Sequence, residues 1–365
     1  MTLICTICAN DAFQRLPDPL LDRSITSDLR VVGEPLDKYQ CRVCGAIRRG
    51  SLQVQSLFDD AYDLYAHDPG WEEEARRQRD YAAWLARALE RPASCFEAGS
   101  GNGSLLLALR AHWGDAALAG VEPAEGAAAA ARRAGLDVAT GFLQPAISAT
   151  KRAALAFAVN VIEHTQDPCA FLRALASHGE RVAIICPDAT APNNEVLFHD
   201  HLHSWRPDHL RTLFARADLR VDLIESAPES LGCFQLVAGR PTNGAVAPAP
   251  YREPDAAHAR YLEAWRSLDR VLLERVGSDE AVAFGAGEAA GLLRAYAPGA
   301  WARVKRCAVD APQFEYFGRL RVVDALELEP ATLVLAVRPA VQAALDVRLR
   351  ERGHRVIRWD DLIER

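Results

Sequence analysis

Twice in this chain an apolar run of strand length enters a Gly-x-Gly turn and leaves it as a helical stretch. The first copy is Ala93-Ser94-Cys95-Phe96-Glu97, then Ala98-Gly99-Ser100-Gly101-Asn102-Gly103, then Ser104 to Leu109. The second is Val282-Ala283-Phe284, then Gly285-Ala286-Gly287, with a helix from Glu288. Glycine lets the backbone turn sharply and approach a ligand at a helix start, and that turn belongs to α/β units with a parallel sheet. In each copy the next apolar run ends in an acid: Ala117 to Val121 meets Glu122-Pro123, and Cys307-Ala308-Val309 meets Asp310. An acid about 20 positions after the glycines is placed to accept hydrogen bonds from ribose hydroxyls, so a nicotinamide dinucleotide would suit the same geometry.

The alternation of short apolar runs with helical stretches covers 93 to about 240 and resumes from 280 to 365. Residues 241–256 are rich in Pro, Gly and Ala and read as a linker, and 257–276 read as one amphipathic helix. Ahead of these lie Cys5-Thr6-Ile7-Cys8 and Cys41-Arg42-Val43-Cys44. Two residues between cysteines let one tight turn aim both sulfurs at one ion, so Cys5, Cys8, Cys41 and Cys44 are expected to close a structural tetrahedral zinc site. Four ordinary thiols or a redox pair are the alternatives. The expected order is a zinc-binding domain (1–55), a catalytic α/β domain (56–240), the linker, and a second α/β domain (257–365).

A formal charge of −7 repels phosphate backbones, so nucleic acid is not expected as a partner. The chain lacks an apolar run of about 18 residues, and no membrane span is expected. Met1 to Cys5 has no basic stretch of a signal peptide, so a cytoplasmic protein is expected, where cysteines serve more often as thiols or metal ligands than as disulfides.

The motifs taken together resemble the class I S-adenosylmethionine-dependent methyltransferases: Glu97-x-Gly99-x-Gly101-x-Gly103, then Val121-Glu122-Pro123, then Asn160-Val161-Ile162-Glu163-His164 before Asp167-Pro168. The resemblance covers about residues 56 to 240. It implies that Glu97 and the turn Gly99–Gly103 hold the methionine part of S-adenosylmethionine and that Glu122, with Pro123 beside it, binds the ribose. It further implies that Phe142 lies against the adenine and that Asn160 to His164 face the methyl donor. The family often has an acid where Ala156-Phe157-Ala158 leads into Asn160.

Phe198-His199-Asp200-His201-Leu202-His203-Ser204-Trp205 packs three histidines and an aspartate into five residues. Alternation in an extended segment would set His199, His201 and His203 on one side, as a metal site or a proton-transfer cluster with Asp200 orienting one ring. Asp200-His201-Leu202 also resembles the Glu-His-Leu that carries the proposed base of the sugar C-methyltransferases. Those enzymes share the three-part arrangement of zinc domain, methyltransferase domain and Rossmann-like C-terminal domain. This wider resemblance implies that His201 is the catalytic base and that Tyr62 and Tyr65 border the active site. It also implies that Gly285 and Gly287 hold the nucleotide part of the substrate, with His199 and His203 on the substrate side.

The expected protein is therefore α/β, with a Rossmann-like methyltransferase domain between the zinc-binding domain and a second Rossmann-like domain. Its expected activity is C-methylation of a nucleotide-linked ketosugar through a base-assisted enolate. An O- or N-methyltransferase of another small metabolite, a methyltransferase-fold protein that only binds, and a nicotinamide oxidoreductase are the competing readings.

Overall fold

The computed structural model describes residues 3–52, 72–146, 152–244 and 250–363. The chain divides into two compact units: Met1–Gln14 with Tyr39–Val196 and Asp200–Pro254, and Arg15–Lys38 with Leu197–His199 and Asp255–Arg365. Most of the gap between the two cysteine pairs, residues 15–38, thus groups with the second unit. Among the described residues no helix is long and apolar enough to cross a membrane.

Five short strands come first: β1 (Phe13–Arg15), β2 (Ser24–Ile25), β3 (Val31–Val32), β4 (Lys38–Cys41) and β5 (Ile47–Arg49). Then follow α1 (Glu72–Ala88), β6 (Ser94–Ala98), α2 (Ser104–Trp113), β7 (Ala117–Glu122), α3 (Glu125–Arg133), β8 (Asp137–Thr140) and β9 (Ala153–Val159). The first unit closes with α4 (Pro168–His178), β10 (Gly179–Pro187), β11 (His203–Ser204), α5 (Pro207–Arg216), β12 (Leu219–Ser226) and β13 (Phe234–Pro241).

The first unit is organised on a seven-stranded sheet of order β12-β13-β10-β9-β6-β7-β8. The strands from β10 to β8 pair in parallel, and β13 runs antiparallel to both its neighbours. β9 and β10 are central, so Leu155 to Ala158 and Val182 to Cys186 are buried on both faces and read as continuous apolar runs. Helices cover both faces. α2 buries Leu105, Leu106, Leu109 and Trp113, one stripe at helical spacing. α4 starts where Asp167 Oδ1 accepts from Ala170 N–H at 2.9 Å and Pro168 fills a position whose N–H has no helical partner. Strands β1, β4, β5 and β11 form a separate four-stranded sheet.

The second unit adds α6 (Ala257–Val276), β14 (Ala281–Phe284), α7 (Glu288–Tyr296), α8 (Pro298–Trp301), β15 (Val304–Val309), β16 (Tyr316–Phe317) and β17 (Leu320–Asp324). It ends with β18 (Thr332–Leu335), α9 (Pro339–Glu351) and β19 (Arg355–Ile357). Its sheet order is β16-β17-β15-β14-β18-β19, parallel except at β16. In both sheets the strand that enters the glycine turn lies between the next strand of its series and a later one, β6 between β7 and β9 and β14 between β15 and β18. That reversal of strand order opens a crevice at the carboxyl end of the strand.

Candidate functional site

The glycine turn joins β6 to α2 at the carboxyl edge of the first sheet. Gly99, Gly101 and Gly103 have φ of 73°, 52° and 81°, the left-handed region that other residues enter only with strain. Their surroundings differ. A Cβ at Gly99 would stand 2.5 Å from Val161 Cγ2, and one at Gly103 would strike Leu136, whereas one at Gly101 would meet nothing within 4 Å. The outer two glycines therefore serve packing, and Gly101 presents bare backbone to open space.

Glu122, at the end of β7, is drawn to this turn. Its Oε2 accepts from Gly101 N–H at 2.8 Å and its Oε1 from Ala124 N–H at 2.9 Å. Pro123 sits between these two anchors in the chain. Glu97 is a second acid here. It is buried at the end of β6 and its Oε2 has no hydrogen-bond partner. Burial, and then the charge of Glu122, raise its pKa well above the ordinary carboxylate range. A raised folded-state pKa means that stability is full below the unfolded value of 4.5 and declines as pH rises above it. Glu97→Gln, which cannot ionise, is expected to melt higher than the natural protein, with a gain that grows from pH 5 upward. Thermal melts across that range check it.

Asn160 follows β9 with φ 54°, and its Nδ2 donates to Tyr81 Oη at 3.3 Å, while its buried Oδ1 has no partner. Phe142, just past β8, is 47% exposed, unusual for so large an apolar ring. Glu97, the glycine turn, Glu122, Phe142 and Asn160 thus come from the carboxyl ends of four neighbouring strands.

His164 ends the short turn Ile162–His164 after β9. Its ring meets that of His201 edge to face, with centroids 4.8 Å apart. Its Nδ1 lies 2.8 Å from Asp200 O. His201 Nδ1 lies 3.5 Å from Glu195 Oε2, which also accepts from Ser204 Oγ at 2.9 Å. Glu163 is 1% exposed, and neither of its carboxylate oxygens has a hydrogen-bond partner. Burial, with the charges of Glu195 and Asp200 adding to it, pushes its pKa up to about 8.

The three histidines of the 199–203 segment meet different neighbours. His203 lies in β11 with its ring stacked on Trp205, centroids 5.0 Å apart. His199 belongs to the second unit, where its Nδ1 is 2.8 Å from Ser24 Oγ. A kink after His199 breaks the alternation on which a shared face depends. Sequence reasoning missed Glu195. It lies six residues before His201 in a short helical turn, and no motif marks it. Tyr62 and Tyr65 lie outside the described residues.

The four N-terminal cysteines gather in the first unit, with ligand atoms all within 4.8 Å of one another. Cys5 and Cys44 sulfurs are 3.5 Å apart, as are those of Cys8 and Cys41. A tetrahedral zinc with four sulfurs would space them by about 3.8 Å, so the set suits such an ion. Accepting from Cys44 lowers Cys5 to about 5, while donating to Cys5 raises Cys44, and burial raises Cys8 to about 11. Helix α5 is tied to both knuckles. Arg206 Nη2 donates to Cys44 O at 3.0 Å, His209 Nε2 lies 2.7 Å from that same oxygen, and Arg216 Nη1 donates to Thr6 O at 2.9 Å.

In the second unit the first glycine of the Gly-x-Gly turn is fixed by packing. Gly285 has φ 120°, and a Cβ there would strike Ala336 O on the neighbouring chain segment. Gly287 opens α7, and a Cβ there would meet nothing within 4 Å. Asp310, after β15, is bound through both carboxylate oxygens to Arg348 Nη2 at 2.9 Å.

Residues 73–224 match the family model described as "Methyltransferase domain". This match supports a class I methyltransferase with a Rossmann-like core for that segment. No curated protein matches the chain. Among solved structures, similarity extends to the Haloferax volcanii complex of the Trm112 methyltransferase activator with a methyltransferase, at 17% identity and TM-score 0.43, covering 53% of this chain and 100% of that one. The mitomycin 7-O-methyltransferase MmcR is similar at 18% identity and TM-score 0.40, over 49% of this chain and 60% of that one. Magnesium protoporphyrin IX methyltransferase from Synechocystis, with bound S-adenosylhomocysteine, is similar at 14% identity and TM-score 0.35, over 47% of this chain and 84% of that one. Likenesses this distant speak to neither substrate nor partner.

Proposed function

We propose that this chain is an S-adenosylmethionine-dependent methyltransferase that C-methylates a nucleotide-linked ketosugar. The observation that carries the donor is the pair of acids at the first glycine turn. The charge of Glu122 adds to burial in raising the pKa of Glu97, whose buried Oε2 has no hydrogen-bond partner. A pyrophosphate would add negative charge to this pocket, whereas a sulfonium and an ammonium supply the missing countercharge. The methyltransferase match over 73–224 supports the same reading.

In this reading Gly101 offers bare backbone to the methionine part, Glu122 accepts from the ribose hydroxyls, and Phe142 covers the adenine. The donor supplies a methyl group already activated on sulfur, so the chain's own task is to align acceptor and donor and to take a proton. A carbon acceptor beside a carbonyl must lose a proton, and His201 is the base. Glu195 keeps its Nδ1 protonated, which leaves the Nε2 lone pair for the substrate. A structural zinc on Cys5, Cys8, Cys41 and Cys44 completes the assignment. The Gly285–Gly287 turn, at the start of a helix, is suited to the phosphates of the sugar nucleotide.

The test is incubation of the full-length protein with methyl-labelled donor and nucleotide-linked ketosugars, with the labelled methyl located by NMR. Label on a ring carbon is the expected result. Label on oxygen or nitrogen overturns the C-methylation reading and leaves the donor assignment standing.

A further inference from the structure

Besides the four cysteines, the described residues contain a second set of metal-ligand side chains: Glu163, His164 and His201, with ligand atoms all within 4.8 Å of one another. They come from the turn after β9 and from the segment before β11. Those two stretches are pinned together where Leu202 N–H donates to Glu163 O at 2.8 Å.

Two independent features point to a ligand. The first is Glu163 itself, a buried carboxylate whose two oxygens accept from nothing. Buried charged groups are normally hydrogen-bonded, paired or bound to a metal. The second is how the two imidazoles are held. His164 directs Nδ1 to the carbonyl of Asp200 at 2.8 Å, and His201 directs Nδ1 to the carboxylate of Glu195 at 3.5 Å. Metal-binding histidines characteristically donate one ring N–H to a carbonyl or carboxylate, which fixes the tautomer and puts the lone pair on the other nitrogen. Both rings direct Nδ1 to an oxygen in this way, and each brings a ligand atom within 4.8 Å of the Glu163 carboxyl.

We propose that Glu163, His164 and His201 bind one divalent transition-metal ion of the manganese-to-zinc series. Two imidazoles and one carboxylate suit these ions and leave coordination positions open for a substrate oxygen. Nearby Asp200 and Glu195 favour a cation further. The ion and a proton compete for the same His201 lone pair, so His201 is a base in the metal-free protein and a ligand in the metal-loaded one. Binding releases protons and weakens as pH falls. The inference goes beyond methyl transfer and does not rest on it, because metal content is read without turnover.

The experiment is a titration of the full-length protein, its cysteine-bound zinc retained, with Co²⁺ followed by visible spectroscopy and metal analysis. The expected result is one Co²⁺ per chain beyond the zinc, with weak bands of a nitrogen and oxygen site and no thiolate charge transfer. Glu163→Gln and His164→Ala, each verified to be folded by circular dichroism and by unchanged zinc content, should raise its dissociation constant by about 100-fold or more. No ion beyond the zinc, or equal Co²⁺ binding by the natural protein and both variants, overturns the proposal.

Discussion

His201→Ala is expected to lower turnover by about 10² to 10⁴-fold, the usual contribution of a positioned general base, while donor affinity stays at its natural value. The split follows from where the residues lie. The residues proposed to hold the donor lie at or just after the ends of β6, β7, β8 and β9, and Glu122 is anchored on Gly101 and Ala124. His201 is held elsewhere in the same unit, by Glu195 and against the His164 ring. Removing its imidazole takes away the lone pair and leaves the glycine turn intact. Steady-state kinetics beside calorimetric titration of the donor measures both quantities. Unchanged turnover removes His201 from the chemistry. Equal loss of donor affinity places it in the donor pocket instead.

Cys41→Ser is expected to release the zinc and to destabilise the first unit by at least about 4 kcal/mol, because loss of a structural metal belongs to the largest single-site effects. The knuckles are part of the same apolar core as α5: Cys5, Cys41 and Cys44 pack with Trp205, Leu210, Leu213 and Phe214. When the sulfurs separate, Arg206 and His209 lose the carbonyl of Cys44, and Arg216 loses that of Thr6. A strong chelator should reproduce the effect in the natural protein. Melting curves with metal analysis provide the check. A variant that melts with the natural protein, or natural protein that carries no zinc, contradicts this assignment.

Much of this architecture is written locally. The amphipathic period over 257–276 matches α6 residue for residue, and the apolar runs at 93–97, 117–121 and 282–284 are strands within a residue of where the pattern puts them. These are segments whose burial on one or both faces dictates their composition. The antiparallel pair β12 and β13 carries no comparable mark. β12 alternates polar and apolar residues over part of its length, and its pairing shifts register between Val221 and Leu223.

The site was legible to the extent that backbone geometry constrains residue type. Left-handed φ at 99, 101 and 103 selects glycine, and the turn is visible for that reason. What was not legible depends on contacts between distant segments. Glu195 reaches His201 across a bend, and Glu163 meets His164 and His201 only once Leu202 binds its carbonyl. The equivalence of His199, His201 and His203 suggested by alternation fails because the segment is not extended between 199 and 203. Only His203 of the three lies in a strand.

The central claim is that the pocket beside Gly101 and Glu122 holds a sulfonium nucleoside, and calorimetric titration of the full-length protein with S-adenosylmethionine and with NADH tests it most directly. The account predicts one site for the sulfonium nucleoside and none for NADH at that turn. Glu122→Ala should weaken the site by roughly 10 to 100-fold, the value of a hydrogen bond to a charged acceptor. Absence of S-adenosylmethionine binding, or NADH binding that Glu122→Ala abolishes, would contradict it.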